Sequence, residues 1–284
     1  MNTAILPKLH LHLTPHLRLV QQLLPLQRKA YQHLLEQTIA DNPFLEWETG
    51  STTSLETLDE ERAITDDYAP LIPDAVVAWR RGYCRVQLVG ASARRLQLEP
   101  TALRLLRAAA TPADTKQYLR QALGQAKTLL TAVKGRQHLL TVILSYVAEH
   151  QRPWWQEDQP LRPLTQRHIA AALRLHPSTI SRALRDKYLR LPTGRTVAAQ
   201  HLLSRSLKTM CGELTSSRTC QERLCELVHE EPSRAPLSDR ALQTKLHAAG
   251  FLVSRRTIAK YRARLRIPAA HRRRLGRRVT RLAG

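Results

Sequence analysis

Aromatic side chains make up only 5% of the 284 residues, and phenylalanine occurs twice. That scarcity excludes a β-rich fold and an RNA-binding platform of stacked aromatics. No apolar run approaches the roughly 20 residues that a membrane-spanning helix needs. Met1–Leu13 has no basic stretch leading into an apolar core, so no secretory signal is expected. Four cysteines in a chain of this length do not make a disulfide framework and read as reduced thiols. Together these absences predict a soluble, cytoplasmic chain that makes no use of a membrane. There is no P-loop, no glycine-rich phosphate cradle and no supported pair of carboxylates. No enzyme and no cofactor are therefore expected.

Acidic residues are also scarce: 23 Asp and Glu face 45 Lys and Arg, a formal charge of +22. An excess of that size calls for a polyanionic partner. It is unevenly placed. Asp41–Tyr68 holds nine acids and one base, whereas Pro232–Gly284 holds fifteen bases and one acid, Asp239. Leu, Ala, Arg and Gln dominate, and all four favour helix. The expected fold is mainly α, a multi-domain helical protein with one small β-hairpin and two helix-turn-helix units.

Thr14-Pro15 starts the first helical pair, with Leu17, Val20, Leu24, Tyr31, Leu34, Leu35 and Ile39 at helical spacing and Pro25 as the break. Residues 48–70 are acidic, with Ser, Thr and Gly, and read as a linker. Val76, Val77 and Trp79, then Tyr83 and Arg85–Leu88, flank Arg80-Arg81-Gly82 as a hairpin would. Residues 99–151 read as helical throughout, with Gly135 as a junction. Trp154 and Trp155 read as core or interface aromatics.

Two segments have helix-turn-helix spacing. In the first, Thr165 precedes a helix over Gln166–Leu173, and Pro177 opens another. Ala170 and Ile180 lie ten residues apart on the facing sides. Ser178, Thr179, Ser181 and Arg182 would face DNA, and Lys187 follows. In the second, Ser238 caps a helix with Leu242, Leu246 and Ala249 inward. Gly250 stops it, and Ser254 caps a helix that begins Arg255-Arg256-Thr257-Ile258-Ala259-Lys260-Tyr261-Arg262. Lys and Arg neutralise phosphates, and Arg also grips guanine with two bonds in the major groove. Ile258 and the apolar part of Tyr261 share the inward stripe. Arg272-Arg273-Arg274, Arg277 and Arg278 follow as a sequence-blind phosphate clamp.

Cys220, Cys225 and His229 lack the short paired spacing of a zinc site, so buried thiols on a helix are the expected reading and no metal is assigned. Tyr261 among arginines suggests a tyrosine recombinase, but the further catalytic positions of that chemistry have no place in the chain.

Residues 254–263 resemble the signature box of the sigma-54 family. The Arg-Arg-Thr and Ala-Lys-Tyr-Arg core is intact, with Ser254, Ile258 and Ala263 where the family normally has Ala, Val and Glu. Ser178–Gly194 also resembles that family's DNA-binding segment, and residues 13–47, closing on Asn42-Pro43-Phe44-Leu45-Glu46, resemble its Leu/Gln-rich first region. Ala198–Leu203 departs from the aromatic stretch usual there. Leu58-Asp59 reaches Pro73-Asp74 almost at once, where the family normally has a long helical block, so the chain reads as an internally shortened member.

The resemblance implies five divisions. They are 1–47, an activator-responsive region; 48–70, an acidic linker; 71–160, a partial core-polymerase-binding domain; 161–231, a first DNA-binding domain; and 232–284, a second with the signature box and tail. It implies a transcription initiation factor that directs core RNA polymerase to GG/GC promoter elements. The closed complex would persist until an activator ATPase of the bacterial enhancer-binding type remodels it. The implied DNA-binding residues are Ser178, Thr179, Ser181, Arg182, Lys187, Ser254, Arg255, Arg256, Thr257, Lys260, Tyr261 and Arg262. A stand-alone repressor or decoy that does not recruit polymerase is the alternative reading. A transposase or recombinase would need a carboxylate triad that the chain does not supply.

Overall fold

A computed structural model describes residues 14–48, 72–80, 82–107, 112–210, 212, 214–232 and 235–274. The acidic segment from Thr49 onward, Cys211 and Arg277-Arg278 therefore lie outside the described residues. The chain is mainly helical and forms two compact units, one within Met1–Ala148 and Leu173–Gln200, the other within Glu149–Ala172 and His201–Gly284. No described helix is long and apolar enough to cross a membrane.

In the first unit, α1 (Pro15–Leu23) and α2 (Arg28–Asp41) are separated at Pro25, which cannot supply the N–H that a continuous helix needs. Pro15 occupies the first helical position, while Thr14 makes no side-chain cap. Strand β1 (Leu45–Trp47) pairs antiparallel with β4 (Leu96–Leu98), a pairing too short to show in the sequence. The expected hairpin is β2 (Ala75–Arg80) with β3 (Tyr83–Leu88), and Gly82 turns between them at φ +86°. It is extended by β5 (Tyr188–Arg190), parallel to β2, and by β6 (Thr196–Ala198), which gives the sheet order β3-β2-β5-β6.

After α3 (Pro100–Arg107), α4 runs without interruption from Ala113 to His150, straight through Gly135. The junction expected at Gly135 is therefore absent. A Cβ there would lie 3.2 Å from Val20 Cγ2, so the glycine serves close approach of α1 and not a break. Leu119, Ala126, Val133, Leu140, Ile143 and Val147 line the buried side of α4.

Arg136 of α4 is fully buried. Its Nε donates to Leu23 O at 3.0 Å, and its guanidinium stands 3.8 Å over the Tyr31 ring. Lys187 is buried as well, and its Nζ donates to Leu26 O at 2.9 Å and Arg185 O at 3.2 Å. Two cations thus hold carbonyls at the α1–α2 break. Asp74 lies in the same polar core and accepts from Tyr188 N at 3.1 Å. Burial raises the Asp74 carboxyl and lowers the Lys187 ammonium from their ordinary values, each opposed by the charge of the other.

The second unit opens on α5 (Arg152–Gln156), in which Trp155 is buried, as the sequence suggested. Gln151 is a hub: its amide donates to Arg162 O and Leu202 O, both at 2.8 Å, and accepts from Arg162 N. Strands β7 (Ser206–Lys208) and β8 (Leu214–Ser216) form a hairpin that leads into α8 (Ser217–His229). Ser216 caps α8 by accepting from Arg218 N and Thr219 N. One apolar core joins Cys220, Leu224 and Leu227 of α8 to Leu242, Leu246, Phe251, Val253 and Ile258. Burial pushes the Cys220 thiol up to about 11. A disulfide-exchange reagent at neutral pH is therefore expected to leave Cys220 unmodified until the unit is unfolded; modification of the native protein at Cys220 would contradict this packing.

Candidate nucleic-acid interface

Helices α9 (Asp239–Ala248) and α10 (Arg255–Arg264) pack over that core. Ser238 caps α9 by accepting from Ala241 N at 3.2 Å, and Ser254 caps α10 by accepting from Thr257 N at 3.2 Å. Gly250 ends α9 at φ +89°, where a side chain would be strained. The turn is pinned on both sides. Gln243 Nε2 and His247 Nε2 lie 3.0 and 2.8 Å from Val253 O. Leu252 N donates to Lys208 O, and Met210 N donates to Gly250 O. A braced helix holds its outer side chains in one place, which base-edge recognition requires.

Along α10 the inward side is Ile258, fully buried, with Tyr261 half-buried. Burial raises the pKa of the Tyr261 hydroxyl. Arg255, Arg256 and Lys260 are exposed and have no hydrogen bond or ion pair among the described residues, Ser254 is exposed at the cap, and Thr257 is half-buried. Arg256 and Lys260, four apart, share one face. Arg264, exposed and four further on, extends that face. The i, i+4 spacing from Lys260 is the mark of Arg264 in the sequence.

Arg262 behaves differently. Its Nε and Nη2 donate to Asp239 Oδ1 and Oδ2 at 3.0 and 3.2 Å, and its Nη1 donates to Ile267 O at 2.9 Å. With its side chain 14% exposed, its guanidinium is turned onto protein. It ties the end of α10 to the first turn of α9, where the Asp239 carboxylate also meets the positive end of the helix.

The earlier pair is α6 (Gln166–Leu173), in the second unit, and α7 (Pro177–Leu184), in the first. Thr165 Oγ1 accepts from His168 N at the start of α6. Arg174 sits at φ +53° between the helices, the left-handed geometry that such a turn demands. At α7 the cap is His176, whose ring nitrogen accepts from Ser178 N, a role the sequence did not reveal. Ser178, Thr179 and Arg182 are half-buried, Ser181 is exposed, and Ile180, Ala183 and Leu184 face inward. Lys187, grouped with these residues in the sequence, is instead the buried cation at Leu26 O.

An outward row of cations on a capped helix, over a core shared with two further helices, defines a basic helical domain of the class that meets polyanions. A family model described as "Sigma-54, DNA binding domain" matches residues 116–275. The chain belongs to the sigma-54 family. It is 36% identical over 204 residues to the RNA polymerase sigma-54 factor of Xanthomonas euvesicatoria, covering 72% of this chain and 42% of that protein. The corresponding factor of Escherichia coli K12 is 31% identical, with the same coverage. The chain thus spans about two fifths of the length of these curated relatives. A solved structure described as Aquifex aeolicus sigmaN bound to promoter DNA aligns with a TM-score of 0.48 at 25% identity, covering 75% of this chain and 63% of that one.

Proposed function

We propose that this protein is a sigma-54-type initiation factor that gives core RNA polymerase a promoter address at GG/GC elements. One observation carries the reading: Arg255, Arg256 and Lys260 stand exposed on a braced helix in a chain of this family, with no group among the described residues engaging them. Arg256 grips guanine in the major groove, and Lys260 meets phosphate. Ser178, Thr179, Ser181 and Arg182 meet DNA beyond, at the element where melting begins. Residues 14–47, docked through Leu23 O and Leu26 O, belong to the region on which an activator ATPase of the bacterial enhancer-binding type acts. Such a protein works in the cytoplasm and catalyses no reaction of its own.

Two substitutions separate base reading from charge. Arg256→Ala is expected to cost about 1–3 kcal/mol of discrimination between a duplex with the GG element and one without it. Lys260→Ala is expected to weaken both duplexes alike and to lower the salt slope by about one unit. Quantitative gel shifts measure both, and equal loss on both duplexes for Arg256→Ala sinks base reading. Polymerase recruitment is tested by co-purification with core enzyme, then by activator- and ATP-dependent promoter opening. DNA binding without co-purification would mark a repressor or decoy.

A further inference from the structure

Two carboxylates of this unit each grip an arginine of the C-terminal basic run. Asp239 holds Arg262, and Glu231 holds Arg273. The second pair is the more enclosed, with side-chain exposures of 7% for Arg273 and 0% for Glu231. Arg273 Nε donates to Glu231 Oε1 at 2.8 Å, and Nη2 donates to Oε2 at 2.7 Å and to Leu237 O at 3.0 Å. Its Nη1 donates to Pro268 O, while Glu231 Oε2 also accepts from Leu237 N.

These contacts fasten a segment that has little else to hold it. After α10 the backbone reverses at Arg266, φ +56°, and Ile267 N returns to Arg262 O. Apart from the Arg273 side chain, nothing in residues 265–274 is buried. Only Leu265 packs on the apolar core. A short helical turn follows, with Arg273 N donating to Ala269 O. On that turn Arg273 points inward, so Arg272 and Arg274, one position to either side, are left exposed, and neither has a partner among the described residues.

We propose that Arg272 and Arg274 form a second, sequence-independent phosphate contact beside the α10 contact, and that Arg273 is its positioning residue, held by Glu231. Two unpaired guanidinium groups on a fixed turn meet a phosphate backbone without first losing the freedom of a loose tail. This proposal rests on the DNA-binding reading of α10, and the test keeps the two apart.

Binding of the full chain to a duplex with a GG element, and to one without it, is followed by fluorescence anisotropy over roughly 0.05–0.3 M KCl. The double variant Arg272→Ala/Arg274→Ala, at exposed positions, is expected to lower the salt slope by about two units, near 0.9 for each phosphate released. The ratio between the two duplexes stays as in the wild type. Arg273→Lys keeps a cation for Glu231 but loses the planar fork, and it is expected to lower the slope as the double variant does. Added to the double variant, it lowers the slope no further. A merely structural Arg273 would reduce affinity by one factor at every salt concentration and leave the slope alone. An unchanged slope in the double variant overturns the phosphate contact, and an unchanged slope in Arg273→Lys, or an additive fall in the triple variant, overturns positioning. If the wild type does not distinguish the two duplexes, the base-reading proposal fails while the slope comparison still stands.

Discussion

Replacing Arg273 by alanine is expected to destabilise the second unit by about 3–5 kcal/mol, the usual cost of leaving one member of a buried ion pair without its partner. Glu231 has a fully enclosed side chain, and without Arg273 its carboxylate loses both guanidinium donors while Leu237 N still donates to Oε2. Leu237 O and Pro268 O lose a donor in the same step. Urea unfolding followed by circular dichroism and by the tryptophans measures the loss. Arg272→Ala, one residue away and exposed, serves as the control and is expected to stay within about 0.5 kcal/mol of wild type. Similar small losses for both variants would show that the Glu231–Arg273 pair does not hold the domain.

The second large effect belongs to the first unit. Arg136→Ala is expected to cost about 2–5 kcal/mol, because a large fully buried side chain gives way to a cavity while Leu23 O loses its donor and Tyr31 its stacked guanidinium. Arg136→Met is expected to cost much less. It fills most of the space, sets sulfur against the aromatic ring and removes a charge that was expensive to bury. Among the described residues the Nε bond to Leu23 O and the Tyr31 ring offset only part of the cost of burying the guanidinium, because both Nη atoms are buried without a partner within hydrogen-bond distance. Hydrogen exchange reports where the loss falls. Faster exchange in α1 and α2 is expected for the alanine variant, with α9 and α10 unaffected. Protection of α1 equal to wild type would mean that Arg136 does not dock the helical pair.

Much of this architecture can be read from local chemistry. The bounds Gln166–Leu173, the start at Pro177 and the caps Ser238 and Ser254 follow from residues whose preferences act within one turn. The β2–β3 turn at Gly82 and the stop at Gly250 need positive φ, which glycine supplies. What escaped the sequence depends on partners far along the chain. A lysine or arginine in a basic run carries no local mark of direction. Arg262 turns inward because Asp239 lies 23 positions earlier, and Arg273 because Glu231 lies 42 earlier. Lys187 is buried by Leu26, 161 positions away. Gly135 shows the same limit: its role depends on Val20 packing against it and not on its own neighbours. Periodicity separated the sides of α10 correctly at Ile258, but it could not tell an exposed cation from a clamped one.

The most direct test of the account is to replace the guanines of the GG element with 7-deazaguanine, which removes the major-groove N7 acceptor and leaves the Watson–Crick edge intact. Wild-type protein is expected to lose about 1–3 kcal/mol of binding, close to the loss caused by Arg256→Ala on the natural duplex. Arg256→Ala is expected to bind both duplexes equally. If wild type binds the modified duplex undiminished, or if both proteins lose affinity alike, α10 does not read guanine through Arg256.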